Sequence, residues 1–121
     1  MADEIEPEDF WGFLAIPAKK APMKHTTYGT ERITAERSRQ IEDEGWTPDH
    51  DDAHDKGEMA EAAACYALAV HDGNFLGAPA RWPWDESWWK PSEDPIRNLE
   101  KAGALIAAEI DRLKRAERQS S

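Results

Sequence analysis

The run Met59 to Val70, MAEAAACYALAV, restricts what this chain can fold into more than any other stretch. Half of it is alanine, the residue with the highest helix propensity, so it reads as a helix. Alanine fills little volume, however. A partner helix must approach closely, and large side chains from elsewhere must complete a core at native density. Met59, Ala63, Tyr66 and Val70 define one apolar face at helical spacing, with Ala60, Ala64 and Ala67 beside it. The bulk lies further along: four of the six tryptophans fall within Trp82 to Trp89. The glycines and prolines of His71 to Pro91 exclude a long regular element there. Its aromatic content is foreign to disordered segments. The expectation is a central alanine-rich helix with an ordered indole-rich loop folded over it.

Other helices are read from caps and periodicity. Thr30 to Glu44 opens on Thr30 as N-cap with Glu31 in the first turn. Ile33, Arg37 and Ile41 form its narrow stripe, and Gly45 is its stop. The second helix starts between Asp49 and Asp55. Gly57 costs about 1 kcal/mol inside a helix, so the regular part is expected to begin near it. Asp94 and Pro95 make a strong N-terminus for the last helix. Its predicted buried stripe is Leu99, Ala102, Ile106, Ile110 and Leu113, widened by Leu105, with Gly103 and Ala107 permitting close packing. The fold class is mainly α: a small three-helix domain over 30–116, a long ordered Trp/Pro-rich loop, an irregular N-terminal arm over 1–29 and a frayed tail over 117–121. The arm contains Phe10-Trp11-Gly12-Phe13-Leu14-Ala15-Ile16, expected to pack on the body rather than stay exposed.

The formal net charge is −10, from 15 basic and 25 acidic residues. Duplex binding requires a basic face that displaces counterions, so general nucleic-acid binding is disfavoured. The acidic balance suits solubility, a cation site or a decoy for a basic protein surface. One cysteine, Cys65, excludes an internal disulfide framework and a thiolate zinc site. Among alanines, beside Tyr66, it reads as a buried thiol. No basic-then-apolar leader opens the chain. No apolar run approaches the roughly 20 residues of a membrane span. A cytoplasmic protein is expected.

Two constellations could support chemistry. In the first, Asp51, His54, Glu58 and Glu61 share a helical face if the second helix begins by Asp51. Such a set suits a divalent cation such as magnesium. The competing and favoured reading is helix capping plus a solvated acidic face, because Gly57 interrupts the phase. The second is Arg81-Trp82-Pro83-Trp84 with Trp88-Trp89-Lys90-Pro91. Indoles stack on bases, and adjacent cations answer phosphate. The competing reading is that the indoles simply fill the core, and both can hold for different rings. Arg32, Arg37 and Arg39, with Arg97 and Lys101, are either anion contacts or ordinary surface ion pairs.

The segments Glu36-Arg37-x-Arg39-Gln40, Glu44-Gly45-Trp46-Thr47-x-x-His50-Asp51-Asp52-x-His54, Cys65-Tyr66-Ala67, Trp82-Pro83-Trp84, Trp88-Trp89-Lys90-Pro91 and Arg97-Asn98-Leu99-x-Lys101-Ala102-Gly103-Ala104-Leu105-Ile106 together resemble small bacteriophage and prophage proteins. That resemblance spans roughly Thr30 to Arg115. It implies a viral accessory protein acting in a bacterial host cytoplasm. The Gly45-Trp46 turn with its acidic run is similar to the ryanodine-receptor repeat domain, a small ligand-binding helical module. Glu58-x-x-Glu61 is similar to half of the motif of MazG-like nucleotide pyrophosphohydrolases, which pair it with a second such element to bind magnesium. Glu109-x-Asp111 on the last helix has a different spacing.

The leading expectation is a non-enzymatic binder of a nucleotide-like small molecule, able to sequester a host defence signal, without a cofactor. Its candidate contacts are Arg37, Trp46, His50, Trp84, Trp89 and Lys90. The alternatives are a magnesium-dependent pyrophosphohydrolase using Asp51, His54, Glu58 and Glu61, and an acidic inhibitor of a host defence protein. A homo-oligomer through the alanine-rich face is a further expectation.

Overall fold

The computed structural model describes residues 25–72 and 77–120, with the side chains of 70–72 left out. The expected arm before residue 25 and the place of Val70 on the helix face lie outside the described residues. Four α-helices are present among the described residues: α1 (Tyr28–Glu42), α2 (Pro48–Asp52), α3 (Glu58–Asp72) and α4 (Pro95–Gln119). One 3-10 turn, Glu86–Trp88, lies in the indole loop. The domain is all-helical, as expected, but the second expected helix is two. Thr47 caps α2 and Pro48 occupies its first turn. After Ala53 the chain bends out, and Gly57 at φ +81° turns it into α3. That φ lies in the left-handed region open to glycine.

α1 starts earlier than expected. Thr27, not Thr30, is its N-cap: the Thr27 hydroxyl accepts from the Thr30 N–H, and the Thr30 hydroxyl accepts from the Thr27 N–H at 3.0 Å. Two orphan donors are thereby satisfied by one pair of side chains. At the other end Gly45, at φ +77°, lets the chain reverse, and the Trp46 N–H reaches the Gln40 carbonyl at 2.9 Å. α4 opens as expected, the Asp94 carboxylate accepting from the Ile96 N–H at 2.9 Å with Pro95 at its first position. It continues through Gln119 rather than ending at Ala116.

α4 is the axis on which α1, α2 and α3 all pack. The core joins Met59, Ala62, Ala63, Cys65, Tyr66 and Ala69 of α3 to Ala102, Leu105 and Ala108 of α4, with Trp89 from the loop. Met59 and Leu105 are the largest fully buried apolar side chains, and burying each contributes about 1.5–3 kcal/mol. Met59, Ala63 and Tyr66 lie where the periodicity put them. Ala60 and Ala64 face outward instead, and Ala62 and Ala69 take their place.

The stripe on α4 is the main correction. Ala102 and Leu105 are buried, but Leu99, Ile106, Ile110 and Leu113 stand about half exposed. The alanine face of α3 selects the equally small face of α4, because two small-residue surfaces pack closely where isoleucines would hold the axes apart. α1 is corrected likewise. Ile41 is exposed, while Glu36 and Gln40 are buried.

The α1–α4 seam is polar. Glu36 accepts from Arg39 at 2.9 Å and from Arg97 at 2.6 Å. Arg97 also donates to Glu100 at 3.0 Å, and Arg32 donates to Glu100 at 2.8 Å. The Arg32 hydrogen bond holds the Glu100 carboxyl below its ordinary range. Burial opposes ionisation at Glu36, and the bonds from Arg39 and Arg97 outweigh it. Charges this buried remain ionised only because they are paired.

Among the described glycines Gly103 is the most tightly packed: an added Cβ would stand 2.5 Å from Ile33 Cδ1 and 2.7 Å from Cγ1. Gly103→Ala therefore loses about 1–2 kcal/mol by denaturant titration, reversing the roughly 1 kcal/mol that helix propensity predicts. Adding Ile33→Ala recovers part of the loss relative to Ile33→Ala alone.

A carboxylate whose folded pKa is depressed stabilises the fold above its unfolded value and loses that stabilisation as pH falls through the folded one. Unfolding free energy is thus expected to drop below the ordinary glutamate value of 4.5. Glu100→Gln, less stable at neutral pH, should show a shallower drop as pH falls below 4.5.

Candidate ligand-binding site

The bend after α1, the short α2 and the indole loop converge. The Trp46 ring stacks on His50 at 5.8 Å with an interplanar angle of 2°. His50 meets His54 edge-on at 5.0 Å, and His54 meets Trp84 at 5.2 Å. Trp84 stands perpendicular to Trp82 at 5.4 Å, and Trp82 contacts Tyr66 at 5.6 Å and Trp89 at 5.0 Å. Rings drawn from four segments thus touch in one unbroken series. Edge-to-face contacts of this kind add about 0.5–1.5 kcal/mol each beyond area burial.

The series borders a cavity of about 330 Å³. Its lining brings Trp46, His50, Asp51 and His54 together with Tyr66, Trp82, Trp84, Asp85 and Trp88, and with Met59 and Leu105 of the core. The size falls within the range of small-molecule sites, and the lining is apolar with few polar groups, as such sites are.

Asp51 sets the polar end. It is fully buried and accepts from Arg37 Nη2 at 2.7 Å. His50 Nδ1 lies 3.1 Å from its other oxygen. A carboxylate only accepts, so Nδ1 carries the proton of a neutral His50 and Nε2 is left as an acceptor. α2 is in turn held on α4, where Arg115 donates to Asp52 at 2.7 Å and 3.0 Å. On the loop side the Trp82 indole donates to the Asp85 carbonyl at 3.0 Å. Trp84 Nε1 is buried with no hydrogen-bond partner among the described residues.

The loop's exit is fastened separately. Asn98, fully buried on α4, accepts from the Ser92 N–H at 2.7 Å and donates to the Ser92 carbonyl at 2.8 Å. The Lys90 N–H donates to the Tyr66 hydroxyl at 3.2 Å, and Lys101 donates to the Lys90 carbonyl.

Of the residues nominated from the sequence, Trp46, His50 and Trp84 line the cavity. Arg37 stands behind it, paired with Asp51. Trp89 is corrected to the core, and Lys90 lies outside the wall, engaged through its backbone. Tyr66, Trp82, Trp88, Met59 and Leu105 also line the cavity; their helical and loop positions in the sequence do not show which residues face it.

The alternative metal set does not assemble. Asp51 is tied to Arg37, Glu58 accepts from the Lys56 N–H at 2.7 Å, and Glu61 lies 3.8 Å from Arg81. Across the break between α2 and α3 His54 Nδ1 still lies 3.7 Å from Glu58 Oε2, but Asp51 and Glu61 do not join that pair in one cluster. Among the described residues no group of three or more His, Cys, Asp and Glu side chains is placed to hold a metal ion. Cys65 is buried, and burial raises its thiol pKa, opposite to what a nucleophile requires.

No protein-family model matches the chain, and neither the curated proteins nor the solved structures contain a significant match. Among the described residues no helix is long and apolar enough to cross a membrane.

The Arg37–Asp51 pair is the site's structural dependency, with side chains 12% and 1% exposed. Arg37→Ala leaves a buried carboxylate facing only His50 and should cost about 3–5 kcal/mol. Denaturant titration measures it, and Arg37→Lys should recover only part, lacking the planar fork.

Proposed function

We propose that this chain is a binding protein for a nucleotide-like small molecule, taking the base between the indoles and leaving phosphates outside. The observation that supports this is the ring-walled cavity of about 330 Å³, with Trp46, Trp82, Trp84 and Trp88 in its wall. Flat heterocycles stack on such faces for about 1–3 kcal/mol per base. The wall contains no lysine or arginine; Arg37, outside it, donates through Nη2 to Asp51, while its Nε and Nη1 have no partner among the described residues. Recognition would rest on stacking of the base, with His50 Nε2 as an acceptor for its edge. Taken with the resemblance to phage and prophage proteins, the role would be to sequester a signalling nucleotide of the host. Neither catalysis nor a cofactor is needed for it.

Titration calorimetry of the full chain with adenosine, guanosine, their mono- and triphosphates and cyclic dinucleotides tests the reading. Binding should follow the base, with phosphates changing affinity less than about tenfold. Trp84→Ala should weaken binding by roughly 10- to 100-fold. No heat and no change in tryptophan emission with any of these ligands removes the proposal.

A further inference from the structure

α4 has a second apolar face that no described element covers. Ile96, Leu99, Ile106, Ile110 and Leu113 are each about half exposed. They recur at the three- and four-residue spacings of a helix–helix seam, with the central position held by Gly103, where Ile33 of α1 borders the stripe. α3 packs on the other side through Ala102, Leu105 and Ala108, and α1 reaches α4 through Ile33 at Gly103 and Arg97 and Glu100. From Ile96 to Leu113 the stripe is about 25 Å long.

We infer that this face joins a second copy of the chain, the two α4 helices running antiparallel. The seam is self-complementary in one register. Ile96 lies opposite Leu113 of the other copy and Leu99 opposite Ile110; in the central layer Ile106 meets Gly103 with Ile33 of α1 lying against it, so every layer is apolar. Only an antiparallel pair also sets exposed Glu93, just before α4, near Lys114 of the other copy, and opposes the two helix dipoles. The paired stripes and their flanks bury on the order of 1,000 Å², where specific interfaces begin. The chain's own Phe10–Ile16 fits less well. Seven residues bounded by prolines would span only about 10 Å as a helix. Laid extended on a helix, they would leave backbone N–H and C=O groups unpaired.

Sedimentation of the full chain, in moderate salt to screen the repulsion between two chains of net charge −10, reads the state directly. The wild type should be dimeric in the micromolar range. Ile110→Glu, at a site exposed in the single chain, should raise the dissociation constant at least 100-fold while keeping its helical circular dichroism. Under oxidation the double variant Leu99→Cys with Ile110→Cys should form a covalent dimer, and neither single variant should do so comparably. If Ile110→Glu does not fold, the wild-type sedimentation and the cysteine pair decide. A wild type that stays monomeric, whether its face is covered by its own N-terminal segment or by a different protein, overturns the inference. So does an Ile110→Glu protein that dimerises like the wild type, or single cysteines that cross-link as well as the pair.

Discussion

The close approach of α3 to α4 is the constraint from which the rest of the domain follows. Two faces built from alanine come together around Met59 and Leu105. Small side chains bring the axes near but leave the periphery of the contact unfilled. The large groups that complete it arrive from the indole loop and from Trp46 at the bend. An ordered loop of this composition is therefore a structural necessity before it is a binding surface. The cavity lies where those large rings meet one another but do not close the space between them.

The buried carboxylates among the described residues fall into two clusters. Glu36 and Glu100 with Arg32, Arg39 and Arg97 fix α1 on α4. Asp51 with Arg37 and His50 fixes α2 beneath α1. Each buried carboxylate is answered by at least one guanidinium, as buried charge requires. The second cluster also decides the chemistry of the cavity. It engages the nearby guanidinium of Arg37 with Asp51, leaving a wall of π-faces with the imidazoles of His50 and His54. A stacking ligand suits that wall better than a polyanion does.

The two faces of α4 explain why amphipathic periodicity alone misplaced its core. The strongest apolar stripe in the chain, Leu99 to Leu113, is the open one, while the buried side holds Asn98, Ala102, Leu105, Ala108 and Arg112. Hydrophobic burial would favour the stripe if α4 met an ordinary helix. It meets alanines instead, and fit prevails over hydrophobicity for the inner contact. The surplus apolar face remains available for association.

Much of the architecture was legible from local chemistry. The alanine run, Asp94-Pro95, Gly45 and Gly57 determined the number and rough limits of the long helices, because propensity, capping and positive φ act within a few residues of chain. The same locality made Trp46, His50 and Trp84 recognisable as ring-bearing positions around one bend and one loop. Which rings line a cavity, that Trp89 goes inward, that Asp51 takes Arg37 rather than a metal, and which side of α4 is buried depended on residues 14 to 68 positions apart in sequence. Those outcomes belong to tertiary structure alone, since side-chain volume and charge pairing are settled only when separate elements compete for the same space.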